Sequence, residues 1–175
     1  IIIAVFLCFV ASLVMIVVPI VTNYISAYLT DTDEKDNNIS VGYNTISIVE
    51  DFEPPTELVA GISFKKDVKV QNIGTVDCYI RVKAVFTNSD MEPYCTIDYN
   101  TSDWVYNDTD GYWYFVNPVA VNDISSSLFT MVTLDDDIDS TEIKDFDILI
   151  YAESYQSYGY DTYQTAWADY HKNKS

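Results

Sequence analysis

Clustered carboxylates in two polar segments are the residues of this sequence best suited to chemistry. Asp135, Asp137 and Asp139 occupy alternate positions of one segment, and Asp108 and Asp110 are separated by a single residue. Paired carboxylates can perform acid–base catalysis, and a hard cation such as Ca²⁺ binds carboxylate and carbonyl oxygens. Aspartate is equally common in solvated turns. We therefore regard Asp135, Asp137 and Asp139 as weak calcium candidates that lack the EF-hand spacing, and expect no other metal site.

The residue types that most catalytic and metal sites require are scarce. His171 is the only histidine, and the motifs HExxH, GxGxxG and GxxxxGK[ST] do not occur. Ser-His-Asp catalysis would have to use His171, which belongs to a segment, 171–175, that we expect to be a tail. A single histidine cannot supply a two-histidine metal site. We predict that the protein is not an enzyme and binds no cofactor.

The three cysteines do not follow a metal-binding spacing. Cys8 lies in an apolar run, where a thiol behaves as a small hydrophobic side chain. Cys78 and Cys95 lie in the acidic part of the chain and could form a disulfide if that part is extracellular. In a reducing habitat both would be thiols, so the pairing stays open.

Two further sets of residues could serve contacts or modification. Aromatic residues are concentrated in one predicted hairpin, where cross-strand packing is the main interpretation and a contact surface the alternative. A tyrosine set follows near the C-terminal end, and we interpret it as facing outward. The hairpin set is Trp104, Tyr106, Tyr112, Trp113, Tyr114 and Phe115, and the later set is Tyr155, Tyr158, Tyr160 and Tyr163. The glycosylation sequons that a suitable host could use begin at Asn38, Asn100, Asn107 and Asn173.

The most prominent element that the sequence predicts is a hydrophobic helix over residues 1–30. No Asp, Glu, Lys, Arg or His precedes Asp31. A stretch of ~20 apolar residues can already span a bilayer, where a helix satisfies its own backbone polar groups. A proline within this run should kink the helix. The residues that we expect to mediate assembly are Ile1, Val5, Phe6, Phe9, Val10, Leu13, Val14, Val17 and Pro19.

The start of the sequence predicts a particular kind of processing. An ordinary secretory signal combines a basic region with an apolar region, and both are discarded. This sequence begins at Ile1 with the apolar run and without basic residues before it. We therefore expect class III, prepilin-type cleavage, which removes the basic region and retains the apolar segment in the working protein.

The remaining sequence predicts β-strands. Apolar residues alternate with polar ones around Phe64–Val70, Cys78–Phe86 and Phe146–Ala152, as expected for half-buried strands. Turn residues, among them Pro54-Pro55 and Asn72-Ile73-Gly74, separate the strands. The segment 154–175 could form a last strand or a short helix around Thr165–Tyr170. We predict an α+β protein: a long N-terminal hydrophobic helix (1–30), an acidic linker (31–38), and a jelly-roll or immunoglobulin-like β-sandwich surface domain (39–170).

Charge excludes one class of partner. The chain has 27 acidic and 9 basic residues, so its net charge is −18, and all of these residues follow the apolar run. Binding to phosphate backbones requires positive charge. We expect the acidic domain to bind no nucleic acid.

Four motifs in order resemble the TasA/camelysin family of exported β-sandwich proteins of Gram-positive bacteria. They are AYLTDTDEKDNNISVGY, LVAGISFKKDVKVQNIGTVDCYIRVKAVF, DGYWYFVNPVAVNDISSSLFTMVTLDDDID and LIYAESYQSYGYDTYQTAW. The resemblance covers residues 27–168. It implies a jelly-roll-like sandwich and a role in the extracellular fibres of a biofilm matrix. A TasA-type precursor would lose its apolar segment just before Tyr28, whereas this sequence includes that segment.

The retained segment resembles the N-terminal helix of type IV pilins and archaellins, which bundles into the apolar core of a filament. Bacterial type IV pilins usually carry Glu at the fifth mature position, whereas this sequence has Val5. The resemblance is therefore closer to archaeal-type or divergent pilin relatives. It implies a homopolymer whose subunits wait in the membrane, and a secretion ATPase with a membrane platform as partners.

We therefore predict a pilin-like structural subunit of an extracellular filament, with helices in the core and sandwiches on the outer surface. One alternative is a TasA-like matrix fibre assembled by strand donation after removal of residues 1–27. The other is a monomeric surface protein anchored by a single transmembrane span. All three interpretations place the acidic domain at the cell surface or beyond it.

Overall fold

The computed structural model describes residues 44–174. This part of the chain contains eight β-strands, a 3₁₀ turn at Glu92–Tyr94 and one α-helix. The strands are β1 (Ile46–Phe52), β2 (Ser63–Asn72), β3 (Cys78–Phe86), β4 (Cys95–Ile97), β5 (Trp104–Asn107), β6 (Tyr112–Phe115), β7 (Phe129–Leu134) and β8 (Ile148–Gln156), and the helix is α1 (Tyr163–Lys174).

The strands form two antiparallel four-stranded sheets. Sheet A has the order β1-β2-β7-β4, and sheet B has the order β5-β6-β3-β8. The chain crosses between the sheets several times, as after β2 and after β3. Strands β3 and β8 pair without interruption from Cys78 opposite Gln156 to Phe86 opposite Ile148. The pairing of β2 with β7 is irregular between Lys65 and Val68, where β2 advances by one residue more than its partner.

The main apolar core lies between the two sheets. Sheet A supplies the inward-facing residues Phe64, Val68, Val70, Phe129 and Val132, and sheet B supplies Cys78, Ile80, Val82, Trp104, Phe115 and Ile148. The alternation predicted from the sequence for β2, β3 and β8 therefore coincides with the burial of these strands. Each inward side chain removes apolar surface from water, which is the main stabilising contribution to such a sandwich.

Asn72 holds the crossing from sheet A to sheet B in place. Its side chain is fully buried. The amide Nδ2 donates to the carbonyls of Val76 at 2.8 Å and Val119 at 2.9 Å, and Oδ1 accepts from the N–H of Gly74 at 2.9 Å. The Val119 carbonyl also accepts from the N–H of Cys78 at 3.1 Å. Asn72 therefore contributes hydrogen bonds to the backbone of a turn that the sequence predicted.

Helix α1 covers the outer face of sheet B and buries a second cluster there. The cluster combines Tyr79 and Tyr114 of the sheet with Ala166, Trp167 and Tyr170 of the helix. The C-terminal segment is thus a helix rather than a last strand. Residues 171–174, predicted to be a tail, belong to α1.

The predicted α+β class is wrong. The described residues form two antiparallel sheets and one short C-terminal helix, and they include no long apolar helix at the N-terminal end. None of the helices among residues 44–174 is long and apolar enough to cross a bilayer. The prediction assigned a fold class to the whole chain from one hydrophobic run, and gave that run too much weight against the strands that follow it. The predicted helix (1–30), the linker (31–38) and the assembly residues from Ile1 to Pro19 lie outside the described residues.

Candidate functional site

The calcium candidates are used in local turn structure. The backbone carbonyl of Asp135 accepts from the N–H of Gly61, and its N–H donates to the carbonyl of Tyr94. Oδ1 of Asp139 accepts from the backbone N–H of Thr141 at 2.9 Å and from its hydroxyl at 2.8 Å. These bonds lower the pKa of Asp139. Across residues 44–174, no group of three or more His, Cys, Asp and Glu side chains could hold a metal ion, and Asp137 joins no such group.

The two cysteines of the described region are free thiols on different sheets. Cys78 lies on β3 and is fully buried, and Cys95 begins β4 and is half-buried. Burial raises the pKa of Cys78 to about 12, with a smaller contribution from Asp77. Burial also raises the pKa of Cys95 to about 11, assisted by Asp135. Because the thiolate is the reactive form, both side chains are poor nucleophiles at neutral pH.

The sequon asparagines that the structure describes are engaged in hydrogen bonds. The Asn100 amide Nδ2 donates to Asp103 at 3.1 Å and to the carbonyl of Ser127 at 3.2 Å, and its Oδ1 accepts from Ser102. Oδ1 of Asn107 accepts from the N–H of Thr109 at 3.0 Å. Asn38 lies outside the described residues. Asn100 would have to give up its bonds to carry a glycan.

The aromatic hairpin divides between core and surface. Trp104 and Phe115 face the core, and Tyr114 is buried on the opposite face of sheet B. Trp113 stacks on Tyr99 with ring centroids 4.3 Å apart, whereas Tyr106 is 52% exposed. The packing interpretation therefore describes most of the hairpin.

Three of the four tyrosines of the later set pack in the cluster between sheet B and α1, and Tyr163 is the first residue of that helix. Tyr155, Tyr160 and Tyr163 pack against the buried cluster beneath the helix, and only Tyr158 of the four is strongly exposed, at 86%. The hydroxyls of Tyr155 and Tyr160 both donate to Oδ2 of Asp169, at 3.0 and 2.5 Å. The bond to Asp169 is the main reason that the pKa of Tyr160 lies well above its usual value.

The densest polar cluster surrounds Arg81, at the centre of the buried layer between sheet B and α1. We call this cluster the arginine cage; it comprises Arg81, Asp110, Tyr112, Tyr114, Glu153, Trp167, Tyr170 and His171. The guanidinium lies 4.2 Å from the ring centroid of Tyr112 and 4.5 Å from that of Trp167. Arg81 is 5% exposed, so these contacts replace its hydration.

Hydrogen bonds satisfy the charge of Arg81 inside the cage. Nε donates to Glu153 Oε2 at 2.8 Å, and Nη2 binds the same oxygen. Nη1 donates to the Tyr114 hydroxyl at 2.8 Å and to Asp110 Oδ2 at 3.2 Å. Burial opposes the charge on Arg81, but the bonds to Glu153 and Tyr114 outweigh it and raise the pKa of the guanidinium. The cage therefore has the properties of a structural clamp with a permanently charged centre.

A second buried cation lies at one end of the sandwich. Lys66 is 3% exposed, and its Nζ lies 2.8 Å from Glu50 Oε2, 4.0 Å from Asp147 Oδ1 and 4.8 Å from the ring centroid of Phe52. A cleft of about 280 Å³ opens beside it. The walls of this cleft are formed by Phe52, Pro54, Pro55, Thr56, Glu57, Leu58, Phe64, Asp145, Phe146, Asp147 and Ile148. Lys66, which also lines the cleft, forms a structural ion pair with Glu50.

Sequence reasoning missed both Arg81 and Lys66 as buried residues. Strand periodicity places Lys66 on the same face as Phe64 and Val68, so this signal was available. Arg81 occupies an outward position of β3, and its burial depends on α1 folding over sheet B. No local sequence pattern predicts the contact between α1 and sheet B.

No protein-family model, curated protein or solved structure matches this chain. The resemblances to the TasA/camelysin family and to pilins therefore stay predictions.

Proposed function

We propose that this protein is a non-enzymatic structural subunit of an extracellular filament. In this proposal, the apolar segment 1–30 holds copies of the chain together, and the acidic β-sandwich is displayed on the surface of the assembly. Before assembly, the apolar segment resides in the membrane.

The observation that carries the proposal is the complete separation of charge from the apolar segment. All 27 acidic and 9 basic residues follow residue 30. Sandwiches with a net charge of −18 repel one another, whereas uncharged segments can be buried together. At ~25 cal/mol per Å² and on the order of 1,500–2,000 Å² of apolar surface, burial contributes tens of kcal/mol per subunit.

Much of that burial only replaces contact with lipid. Removal of the segment from the bilayer therefore requires an external source of energy. By the resemblance to pilins, a secretion ATPase with a membrane platform supplies it.

The chemistry of the described domain supports a structural role. Its buried cations are engaged by carboxylates, its thiols have raised pKa values, and His171 contacts Arg81. None of these groups forms a nucleophile–base pair beside the cleft at Lys66. The polar groups of the described residues thus form hydrogen bonds and ion pairs that hold the β-strands and α1 together.

Val10→Asp and Val14→Asp test the proposal. A charge in the apolar segment should abolish filaments sheared from the cell surface and viewed by electron microscopy, while the sandwich resists protease as in the unchanged protein. The matched control is Val105→Asp, because Val105 is an exposed valine of the sandwich, at 43%. Normal filaments from Val10→Asp would refute the proposal.

Mass spectrometry of sheared material separates the alternatives. Peptides from residues 1–27 should be present in the filament. Filaments that begin at Tyr28 would indicate strand donation instead, and release of no material would indicate a membrane-anchored monomer. Either result would overturn the proposed assembly.

A further inference from the structure

We propose that the cleft beside Lys66 binds an amphipathic organic cation, meaning a guanidinium or ammonium group carried on an aliphatic stem. The arginine side chain of a basic peptide and a free alkylguanidinium share this chemistry. All residues that line the cleft belong to the described β-sandwich. The inference therefore goes beyond the proposed filament and does not depend on the apolar segment.

The inner wall of the cleft is a hydrocarbon surface. Phe64 and Ile148 line it and are 8% and 3% exposed. The ring centroid of Phe64 lies 6.2 Å from that of Phe52 and 6.4 Å from that of Phe146, and all three rings line the cleft. Phe52 is 42% exposed, so part of this aromatic surface is accessible to a ligand. The wall would remove an aliphatic stem from water, and the face of an aromatic ring attracts a cation.

Exposed carboxylates form the acidic part of the cleft lining. They belong to Glu57, Asp145 and Asp147, and all three residues are exposed. Within residues 44–174, the side chains of Glu57 and Asp145 make no hydrogen bond or ion pair. Oδ1 of Asp147 accepts from the N–H of Ile148 at 2.7 Å. Glu57 and Asp145 can therefore bind a cation without first releasing another partner.

The lysines near the cleft do not neutralise these carboxylates. Lys66 is the positively charged residue of the lining, and its Nζ lies 2.8 Å from Glu50 and 4.0 Å from Asp147. Glu50 thus already balances the charge of Lys66. Lys144 is paired with Asp90 at 2.9 Å. The cleft lining therefore retains an excess of negative charge.

The cleft opens at an acidic end of the sandwich. Three segments connect strands there, and together they contain eleven acidic residues and one lysine. Backbone hydrogen bonds from Gly61 to Asp135 and from Asp135 to Tyr94 hold these segments together. A cleft with apolar walls focuses the field of such charges and raises the local concentration of ions of opposite sign. Charge complementarity therefore selects a cation. The three segments are 53–62, 87–94 and 135–147.

The size and chemistry of the cleft limit the ligand further. Its volume of about 280 Å³ is slightly below the ~300–1,000 Å³ of pockets for drug-sized ligands, which suits one side chain or a small alkyl cation. A bare metal ion is unsuited, because the inner wall is hydrocarbon and residues 44–174 contain no group of three side chains that could hold one. The acidic lining would repel an alkyl carboxylate.

Methyl NMR of the full chain in detergent micelles tests the proposal. With isoleucine and leucine methyl groups labelled, n-butylguanidinium should shift the signals of Leu58 and Ile148, which line the cleft. The signals of Ile73 and Ile124, which lie outside it, should not move. The dissociation constant should be on the order of 1 mM, as expected for a ligand with few atoms. The matched neutral ligand is n-butylurea, which has the same stem without the charge and should bind at least ~10-fold more weakly.

Variants of the lining test which groups recognise the cation. Asp145→Asn and Glu57→Gln should each weaken binding of n-butylguanidinium about 3- to 10-fold, because each removes one negative charge beside the cation. Phe52→Leu keeps the wall apolar and should weaken binding of n-butylguanidinium more than that of n-butylurea. The matched control is Glu142→Gln, an exposed residue of the same connecting segment that does not line the cleft. Unchanged signals from Ile73 verify that each variant is folded.

A capped Gly-Gly-Arg-Gly-Gly peptide identifies the source of the cation. Tighter binding of the peptide than of n-butylguanidinium would support the site and indicate a partner protein. Tighter binding of n-butylguanidinium would support the site and indicate a free small molecule.

Three results would overturn the proposal. The first is equal binding of n-butylguanidinium and n-butylurea, because it would show that charge plays no part in recognition. The second is unmoved signals from Leu58 and Ile148 at ~20 mM ligand, a concentration well above the expected dissociation constant. The third is equal weakening of binding by Asp145→Asn and Glu142→Gln. None of these results would bear on the proposed filament.

Discussion

Nη1 of Arg81 lies 3.1 Å from Nε2 of His171, although the two residues are 90 positions apart in the chain. Arginine can only donate, so Nε2 of His171 acts as the acceptor and the proton of the imidazole resides on Nδ1. The contact joins the central strand of sheet B to the last turns of α1. It makes the arginine cage the attachment point of the C-terminal helix.

Replacement of Arg81 should therefore release α1. Arg81→Ala removes the cation that binds Glu153 and Asp110 and should cost about 3–5 kcal/mol of unfolding free energy, as for a broken buried ion pair. Arg81→Lys should recover only part of this loss, because an ammonium cannot reproduce the bidentate and stacking contacts. Hydrogen exchange of α1 and β8, measured by mass spectrometry, reports the effect.

The control for Arg81 is Lys83→Ala, a cation on the same face of β3 that is less buried. It should cost less than about 1 kcal/mol, as exposed pairs do. Equal acceleration of exchange by Arg81→Ala and Lys83→Ala would contradict the structural role of the cage.

The Lys66–Glu50 ion pair should respond differently to loss of the cation and loss of the anion. Lys66→Met removes the buried charge and keeps most of the volume, and the Glu50 side chain that remains is 31% exposed and can be hydrated. Stability should therefore change by less than about 1 kcal/mol or rise. Glu50→Gln leaves the ammonium with only the more distant Asp147 and should cost about 2–3 kcal/mol. Urea unfolding in detergent micelles measures both changes in stability.

The control for this ion pair is Glu53→Gln, since that side chain is 73% exposed. A larger loss of stability from Lys66→Met than from Glu50→Gln would argue against the pairing of Lys66 with Glu50.

The buried thiols predict a loss of stability at high pH. Burial raises the pKa of Cys78 to about 12 and that of Cys95 to about 11. A raised pKa contributes stability that is present below the unfolded value of about 8.5 and is lost as pH rises through the folded value. Unfolding midpoints should therefore fall between pH ~9 and ~12. In a Cys78→Ala, Cys95→Ala variant the decline should be shallower; an unchanged pH profile would show that the thiols do not contribute.

The same burial should protect Cys78 from alkylation. In a Cys8→Ser background, iodoacetamide at pH ~8.5 should modify Cys78 only after unfolding, because the reactive thiolate is scarce in the fold. Peptide mass spectrometry with and without urea distinguishes the two states. Rapid labelling of Cys78 in the native chain would contradict its placement in the core.

Substitution of Asn72 should disrupt the crossing between the sheets. Asn72→Asp places a carboxylate against the carbonyls of Val76 and Val119, and Asn72→Leu removes the side-chain bonds to the Val76 carbonyl and the N–H of Gly74, while the Val119 carbonyl keeps its bond from Cys78. Each unsatisfied buried group costs about 1–3 kcal/mol, so both variants should lower the melting temperature strongly. Asn88→Asp, at an exposed turn, should have little effect and serves as the control.

Strand periodicity allowed much of the sandwich to be predicted, because alternation of side chains is a property of the local backbone. It correctly assigned inward positions such as Val70, Ile80 and Val82. The assignment failed for Lys66. Its position on β2 faces the core, but we did not assign it as inward-facing because the side chain is charged. The assignment also failed to place Tyr155, which faces outward from sheet B but is covered by α1.

The sequence by itself determined where charge is absent, which segments alternate as strands, and where the chain turns, since each of these depends on residues close together in the chain. Only the tertiary structure decided that α1 lies on sheet B and that Arg81 is buried there. These features depend on contacts between residues far apart in sequence. Such contacts form when the apolar faces of separate elements pack against each other. Local sequence patterns do not specify which two faces pack together.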